Sequence, residues 1–215
     1  MKMACLPVLC FAVVNISSCS TNSIQGSGVA KTETRTVPAF SKIELAGSPD
    51  VEVTVGPAVS LTITGDDNVM PLIDTEVKGE TLEIGSHDSY SSRTEVKLKI
   101  TVPSLEHVGI SGSGNIHATG VKAGEMDAGI TGSGNLEIVG TADRLNAHIT
   151  GSGNLKAEEL AAKHVHVTVT GSGDAKVRAT DEIEANITGS GNVRYAGNPA
   201  QVKKSVVGSG DIAAE

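Results

Sequence analysis

Leu145-Asn146-Ala147-His148-Ile149-Thr150-Gly151-Ser152-Gly153-Asn154-Leu155-Lys156-Ala157 reads as a strand, a glycine turn and a second strand. Apolar residues alternate with polar ones on both sides of the turn, the period that places one set of side chains inside and the other outside. The same turn, Gly-Ser-Gly followed by Asn or Asp, recurs from Gly112, Gly132, Gly151, Gly171, Gly189 and Gly208, at intervals of 20, 19, 20, 18 and 19 residues. The flanks repeat with it. Ile110, Ile130, Ile149, Val169, Ile187 and Val206 stand two residues before each turn; Ile116, Leu136, Leu155, Ala175, Val193 and Ile212 follow it.

Such a unit cannot bury its apolar face alone. Stacking one coil on the next at about 4.8 Å buries that face and gives each backbone group a partner. The expected fold is therefore all-β, a parallel β-helix of 18–20-residue coils, right-handed by the commoner precedent. Glycine suits a corner where φ turns positive or stacked backbones come close. The column Asn115, Asn135, Asn154, Asp174, Asn192, Asp211 is expected to form a turn ladder. Lys204 breaks the inward column, which reads as fraying at the open end. The stretches between repeats, such as 139–144 and 157–163, read as looser turns between strands.

Composition agrees. Of 215 residues, 39% are apolar and 25 are Gly, Trp is absent, and Phe and Tyr number two each. A core so poor in aromatics must rest on Val, Ile, Leu and Ala. With a net charge of −8, no basic patch and few rings for base stacking, nucleic-acid binding is disfavoured.

The three cysteines all fall in the first nineteen residues. The apolar run 4–14 after Lys2 is too short to span a bilayer and reads as a signal-peptide core. Ile16-Ser17-Ser18-Cys19 looks like a lipobox, so Cys19 is the expected lipidation site, with residues 1–18 as signal peptide. The alternative is an ordinary secretory signal that leaves Cys19 a free thiol. Residues 19–30 read as a lipidated, flexible tether, with Gly26-Ser27-Gly28 as linker. The membrane is then a partner through a lipid anchor. Ser20 after that cysteine fits outer-membrane sorting, and the lack of an acidic cluster there fits a periplasm-facing domain.

Residues 31–103 form a strand-rich block before the regular repeat of 104–215. Turn-like stretches around Gly47, Gly65 and Gly85 suggest irregular early coils with an insertion at 89–94; a separate antiparallel cap is the equal alternative. Either would cover one end of the stack.

The repeated GSGN with its following aliphatic residue, the stretch from Phe40 to Val53, Leu82-Glu83-Ile84 and Ile100-Thr101-Val102-Pro103 resemble the putative auto-transporter adhesin head GIN domain family. The resemblance covers most of 31–212. It implies a parallel β-helix on an exported protein, often a lipoprotein, and implies little about activity.

No chemistry-bearing set stands out, and neither a catalytic site nor a cofactor is expected. His164 and His166 alternate with Val165 and Val167 and so share the outer face, with His148 one coil away and only Glu184 and Asp127 as nearby carboxylates; this reads as a polar face rather than a metal site. Calcium needs six to eight oxygens, and four of the six ladder positions are neutral Asn. The outward column His117, Glu137, Lys156, Lys176, Arg194 is of mixed charge, not an acid pair. Tyr195 belongs to an inward column, and Tyr90 in the insertion is the aromatic residue to watch. A flat threonine face for ice is not formed, because the second column reads Gly129, His148, Thr168, Asn186, Ser205. The functional expectation is a non-enzymatic envelope lipoprotein, adhesin-like, offering a polar surface to a glycan, peptidoglycan or envelope protein. The alternative is a polysaccharide-active enzyme with its site in 31–103. The oligomeric state is left open.

Overall fold

The structure, a computed structural model, describes residues 23–215. The expected signal peptide and Cys19 lie outside the described residues. The N-terminal strands are β1 (Ile24–Gln25), β2 (Ala30–Arg35), β3 (Lys42–Gly47), β4 (Asp50–Val55), β5 (Ser60–Asp66), β6 (Ile73–Lys78), β7 (Thr81–Ser86), β8 (Tyr90–Ser91) and β9 (Lys97–Val102). They are followed by β10 (His107–Gly112), β11 (Asn115–Gly132), β12 (Asn135–Gly151), β13 (Asn154–Gly171), β14 (Asp174–Gly189), β15 (Asn192–Ala196), β16 (Gln201–Gly208) and β17 (Asp211–Ala214). These form stacked parallel coils of about five turns, the all-β solenoid read from the repeat.

The register is that of the sequence columns. Gly112 pairs with Gly132, Gly132 with Gly151, Gly151 with Gly171, Gly171 with Gly189, and Gly189 with Gly208. Inward side chains make one continuous dry interior, as with Leu136, Ile138, Leu145, Ala147 and Ile149 in a single coil, each at most 1% exposed. Each buried Val, Ile or Leu contributes roughly 1.5–3 kcal/mol against exposure. Tyr195 lies in this interior.

The stretches between repeats are not turns. Each of β11 to β14 runs unbroken from one glycine corner to the next. Register shifts at Ala118/Val121, Glu137/Gly140 and Ala157/Ala161 mark where the ladder bends. Between bends a short middle arm keeps pairing, Thr141 with Ala161 and Ala142 with Ala162. In a stack every residue has a neighbour one coil away, so a bend need not break the ladder; a bulge suffices.

The N-terminal block contains both parallel and antiparallel pairings. Strands β3 and β4 form a true coil, with Gly47 beneath Gly112 and Asp50 beneath Asn115. A lower layer, β7 and β9, pairs parallel with β3 and β4. Antiparallel strands close that end, β2 on β5, β5 on β9 and β6 on β7. The stack is thus out of chain order, because the coil of Gly112 rests on that of Gly47 while residues 56–106 lie below. Neither Gly65 nor Gly85 is a corner: Gly65 pairs with Lys31 in β5, and β7 ends just past Gly85.

Residues 24–30, read as tether, belong to the fold. Strand β1 pairs parallel with β8. The Ser27 amide donates to Asn68 Oδ1 at 2.8 Å and the Gly28 amide to Asp66 Oδ1 at 3.1 Å.

The far end is open. Strand β16 is exposed along its length and carries Val202, Val206 and Val207 at 42%, 41% and 66% exposure. Lys204 stands beside Ala185 in the inward column, donates to the Ile212 carbonyl at 3.1 Å and lies 4.8 Å from the Tyr195 ring centre.

Candidate functional site

Two ladders run along the glycine edge of the stack. The first is backbone. Corner carbonyls accept amides from the next coil; Gly112 O takes Ser133 N–H at 2.9 Å and Gly134 N–H at 3.1 Å, and Gly132 O takes Ser152 N–H at 2.8 Å. Gly171 shows why the corner residue must be glycine. Its φ is +124°, and a methyl group there would run into the Gly151 carbonyl.

The second ladder is made of side chains. Asp50, Asn115, Asn135, Asn154, Asp174, Asn192 and Asp211 form one row across neighbouring strands. Its hydrogen bonds have a direction. Asn154 Nδ2 donates to Asn135 Oδ1 at 2.8 Å, Asn135 Nδ2 to Asn115 Oδ1 at 2.8 Å, and Asn115 Nδ2 to Asp50 Oδ1 at 2.6 Å. The run begins again where Asn192 donates to Asp174 Oδ1 through its amide side chain and its backbone N–H. The breaks follow from chemistry. An ionised carboxylate accepts only, so Asp174 cannot donate back to Asn154, and Asp211 accepts from Arg194 instead. Each segment therefore ends on an aspartate.

Beside this row lies the charged row. Glu52 pairs with Lys97 and, at 3.7 Å, with Lys99, while His117 lies 3.5 Å from Glu137. Lys97 beside Glu52 holds that carboxyl below the usual carboxylate range. Further along, the row continues with Lys156, Lys176 and Arg194, of which Lys176 lies 3.4 Å from Glu215 and Arg194 2.8 Å from Asp211. A shallow groove of about 530 Å³ follows both rows, from Asp50 and Glu52 past Asn115 and His117 to Asn154 and Lys156. At its Asp50 end Glu95 lies against Asp50, and that contact pushes the Glu95 carboxyl above its usual range.

The long arm before each corner carries the histidines. His164 Nδ1 lies 3.7 Å from Glu182 and His166 Nδ1 lies 3.9 Å from Glu184. The His148 and His166 ring centres are 6.1 Å apart. Lys203 holds Glu182 at 2.7 Å. Among the described residues no three His, Cys, Asp or Glu side chains converge to hold a metal ion.

Sequence reasoning missed Asp66, which follows Gly65 in one of the turn-like stretches. Asp66 is fully buried, and its carboxylate accepts from Gly28 N–H, Ser92 Oγ, Arg93 N–H at 2.7 Å, and Thr94 Oγ1 at 2.6 Å. The Thr94 hydroxyl and the neighbouring amides hold its carboxyl well below the usual carboxylate range. It ties the N-terminal strand and the insertion to the cap. Its donors lie 26–38 residues away in the chain, so no local pattern announces them.

Fold and surface together define a capped β-solenoid that displays a long polar face. Residues 39–199 match the family described as "Putative auto-transporter adhesin, head GIN domain", and the chain belongs to that family. It is similar to a putative adhesin from Bacteroides fragilis, at 28% identity and TM-score 0.73, with 90% of this chain and 100% of that one covered. It is also similar to a protein from Parabacteroides distasonis described as a putative lipid-binding protein, at 28% identity and TM-score 0.55, covering 90% and 99%. A putative adhesin from the same organism, 24% identical with TM-score 0.59 over 90% and 100%, shares the fold. No curated protein matches this chain.

Proposed function

We propose that this chain is a non-enzymatic cell-envelope lipoprotein, anchored through Cys19 to the outer membrane and facing the periplasm, whose solenoid binds glycan strands. The observation that carries the reading is the pair of outward rows on the glycine edge, amide and charged, repeating once per coil beside one groove. A polymer of polar rings meets such a row with the same hydrogen-bonding groups at each step. Membership in an adhesin-head family supports a binding role. The test is to incubate the full chain with a glycan panel that includes peptidoglycan fragments, following both retention and turnover. Retention without product supports the reading; no retention, or turnover, overturns it. Palmitate labelling lost in Cys19→Ser tests the anchor, and an unlabelled wild-type chain would refute it.

One observation favours the second reading, a polysaccharide-active enzyme. Glu95 with its raised pKa, beside Asp50, is a carboxyl pair in the N-terminal block. Its geometry weakens the case. Glycosidase carboxyls stand about 5–9.5 Å apart to admit the sugar or a water, whereas these two are in direct contact.

A further inference from the structure

The lowest corner of the stack differs from all others. At higher corners the Ser amide donates downward, as Ser113 N–H does to Gly47 O at 3.0 Å and Ser152 N–H to Gly132 O at 2.8 Å. Beneath Gly47 there is no corner, because β7 ends at Ser86 and the chain leaves into the insertion. Where the motif has its second glycine, whose N–H also points down, this corner has Pro49, which has no N–H. The Ser48 N–H has no acceptor among the described residues. The space below it is a cup of about 460 Å³, walled by the corner on one side and by Ser86, Asp88, Ser89 and Tyr90 on the other.

We propose that this cup is a binding subsite for an uncharged pyranose of a glycan, which rests on the glycan reading above and assigns it a place. Tyr90 is half-buried, packs on the core and supplies the apolar platform that a sugar ring's C–H face requires. The Ser48 N–H is a fixed donor, the serine hydroxyls donate or accept, and Asp88, in no ion pair among the described residues, is an acceptor for sugar hydroxyls. No Lys or Arg lines the cup, and the His87 that does is held 3.0 Å from the Asp74 carboxylate, so no free cation among the described residues meets the charge of a phosphate, sulfate or sialic acid there. The volume suits one or two sugar rings. Tyr90 sits there because β8 is held by β1, so the docked N-terminal segment shapes the wall.

The protein carries its own probe, since Trp is absent and the other tyrosine, Tyr195, is 8% exposed. Titration of the full chain with N-acetylglucosamine, galactose, mannose and their neutral oligomers should change tyrosine emission saturably. Tyr90→Ala should weaken glycan retention at least tenfold, Tyr90→Phe should keep most of it, and Asp88→Asn should fall between. If the wild type retains glycans and Tyr90→Ala retains them equally, the subsite is wrong and the glycan reading stands. If the wild type retains none, the glycan reading itself fails and takes the subsite with it. Retention of acidic glycans alone would overturn the subsite. Should Tyr90→Ala not fold, the wild-type titration decides, and retention on the panel without any change in emission rejects the proposal.

Discussion

Asn115 donates its side-chain amide to Asp50 Oδ1 at 2.6 Å, joining residues 65 positions apart in the chain. This bond anchors the asparagine run on a carboxylate in a coil that the repeat spacing does not reveal. Hydrogen bonds in series polarise one another, and a charged acceptor is the stronger terminus.

The break at Asp174 predicts a gain. Asp174→Asn would let residue 174 donate to Asn154 Oδ1 while still accepting from Asn192, fusing two segments into one. Stability should rise by about 1 kcal/mol, the usual net worth of one hydrogen bond. Asn135→Ala removes two such bonds and should cost about 1–2 kcal/mol. Urea denaturation checks both, and a destabilised Asp174→Asn would disprove the directional ladder.

Two glycines that look alike in composition should respond differently. Gly171→Ala forces a side chain onto positive φ and into the Gly151 carbonyl, and should cost about 3 kcal/mol or more. Gly124 has open space where a methyl group would go, so Gly124→Ala should stay within about 0.5 kcal/mol of wild type. Thermal melts of the two variants compare them directly.

Asp66 sets an acid limit. Its native pKa is depressed, so its contribution is fully present above the unfolded value of about 3.9 and is lost as pH falls below that toward the native pKa. Urea midpoints measured from pH 7 to pH 3 should drop more steeply for the wild type than for Asp66→Asn, which is also the weaker of the two at pH 7. Parallel curves would remove Asp66 from its role.

Lys204 places a charge in the inward column of an unpaired edge, a known guard against edge-to-edge pairing. Lys204→Val should give concentration-dependent association in light scattering, where the wild type stays constant. Identical mass for both proteins at all concentrations would show that the edge is guarded by something else.

The regular coils were legible because each corner needs glycine and each arm keeps a period of two. The middle arm was not, since inward residues step by three at Ala142 to Leu145, at Ala157 to Leu160 and at Ala162 to Val165, and the shifted phase reads as a turn. Gly47 was legible as a turn but not as the partner of Gly112, because the chain visits the lower layer between them. The asparagine row could be read from the columns, whereas its direction required atoms. Asp66 and the Tyr90 cup depend on long-range docking of residues 24–30, a segment whose composition resembles linker.

Because each corner carbonyl receives the amides of whatever repeat follows, the protein's length is quantised. Gain or loss of a whole repeat would move the open tip by about 4.8 Å and leave the cap untouched. A single-residue insertion inside a paired arm would instead turn that arm inside out, whereas the bends, where coils of 18–20 residues differ in length, take one up as a bulge. Lineages can therefore adjust how far the open tip stands from the cap by duplicating or dropping complete units, and selection on reach acts in steps of one coil.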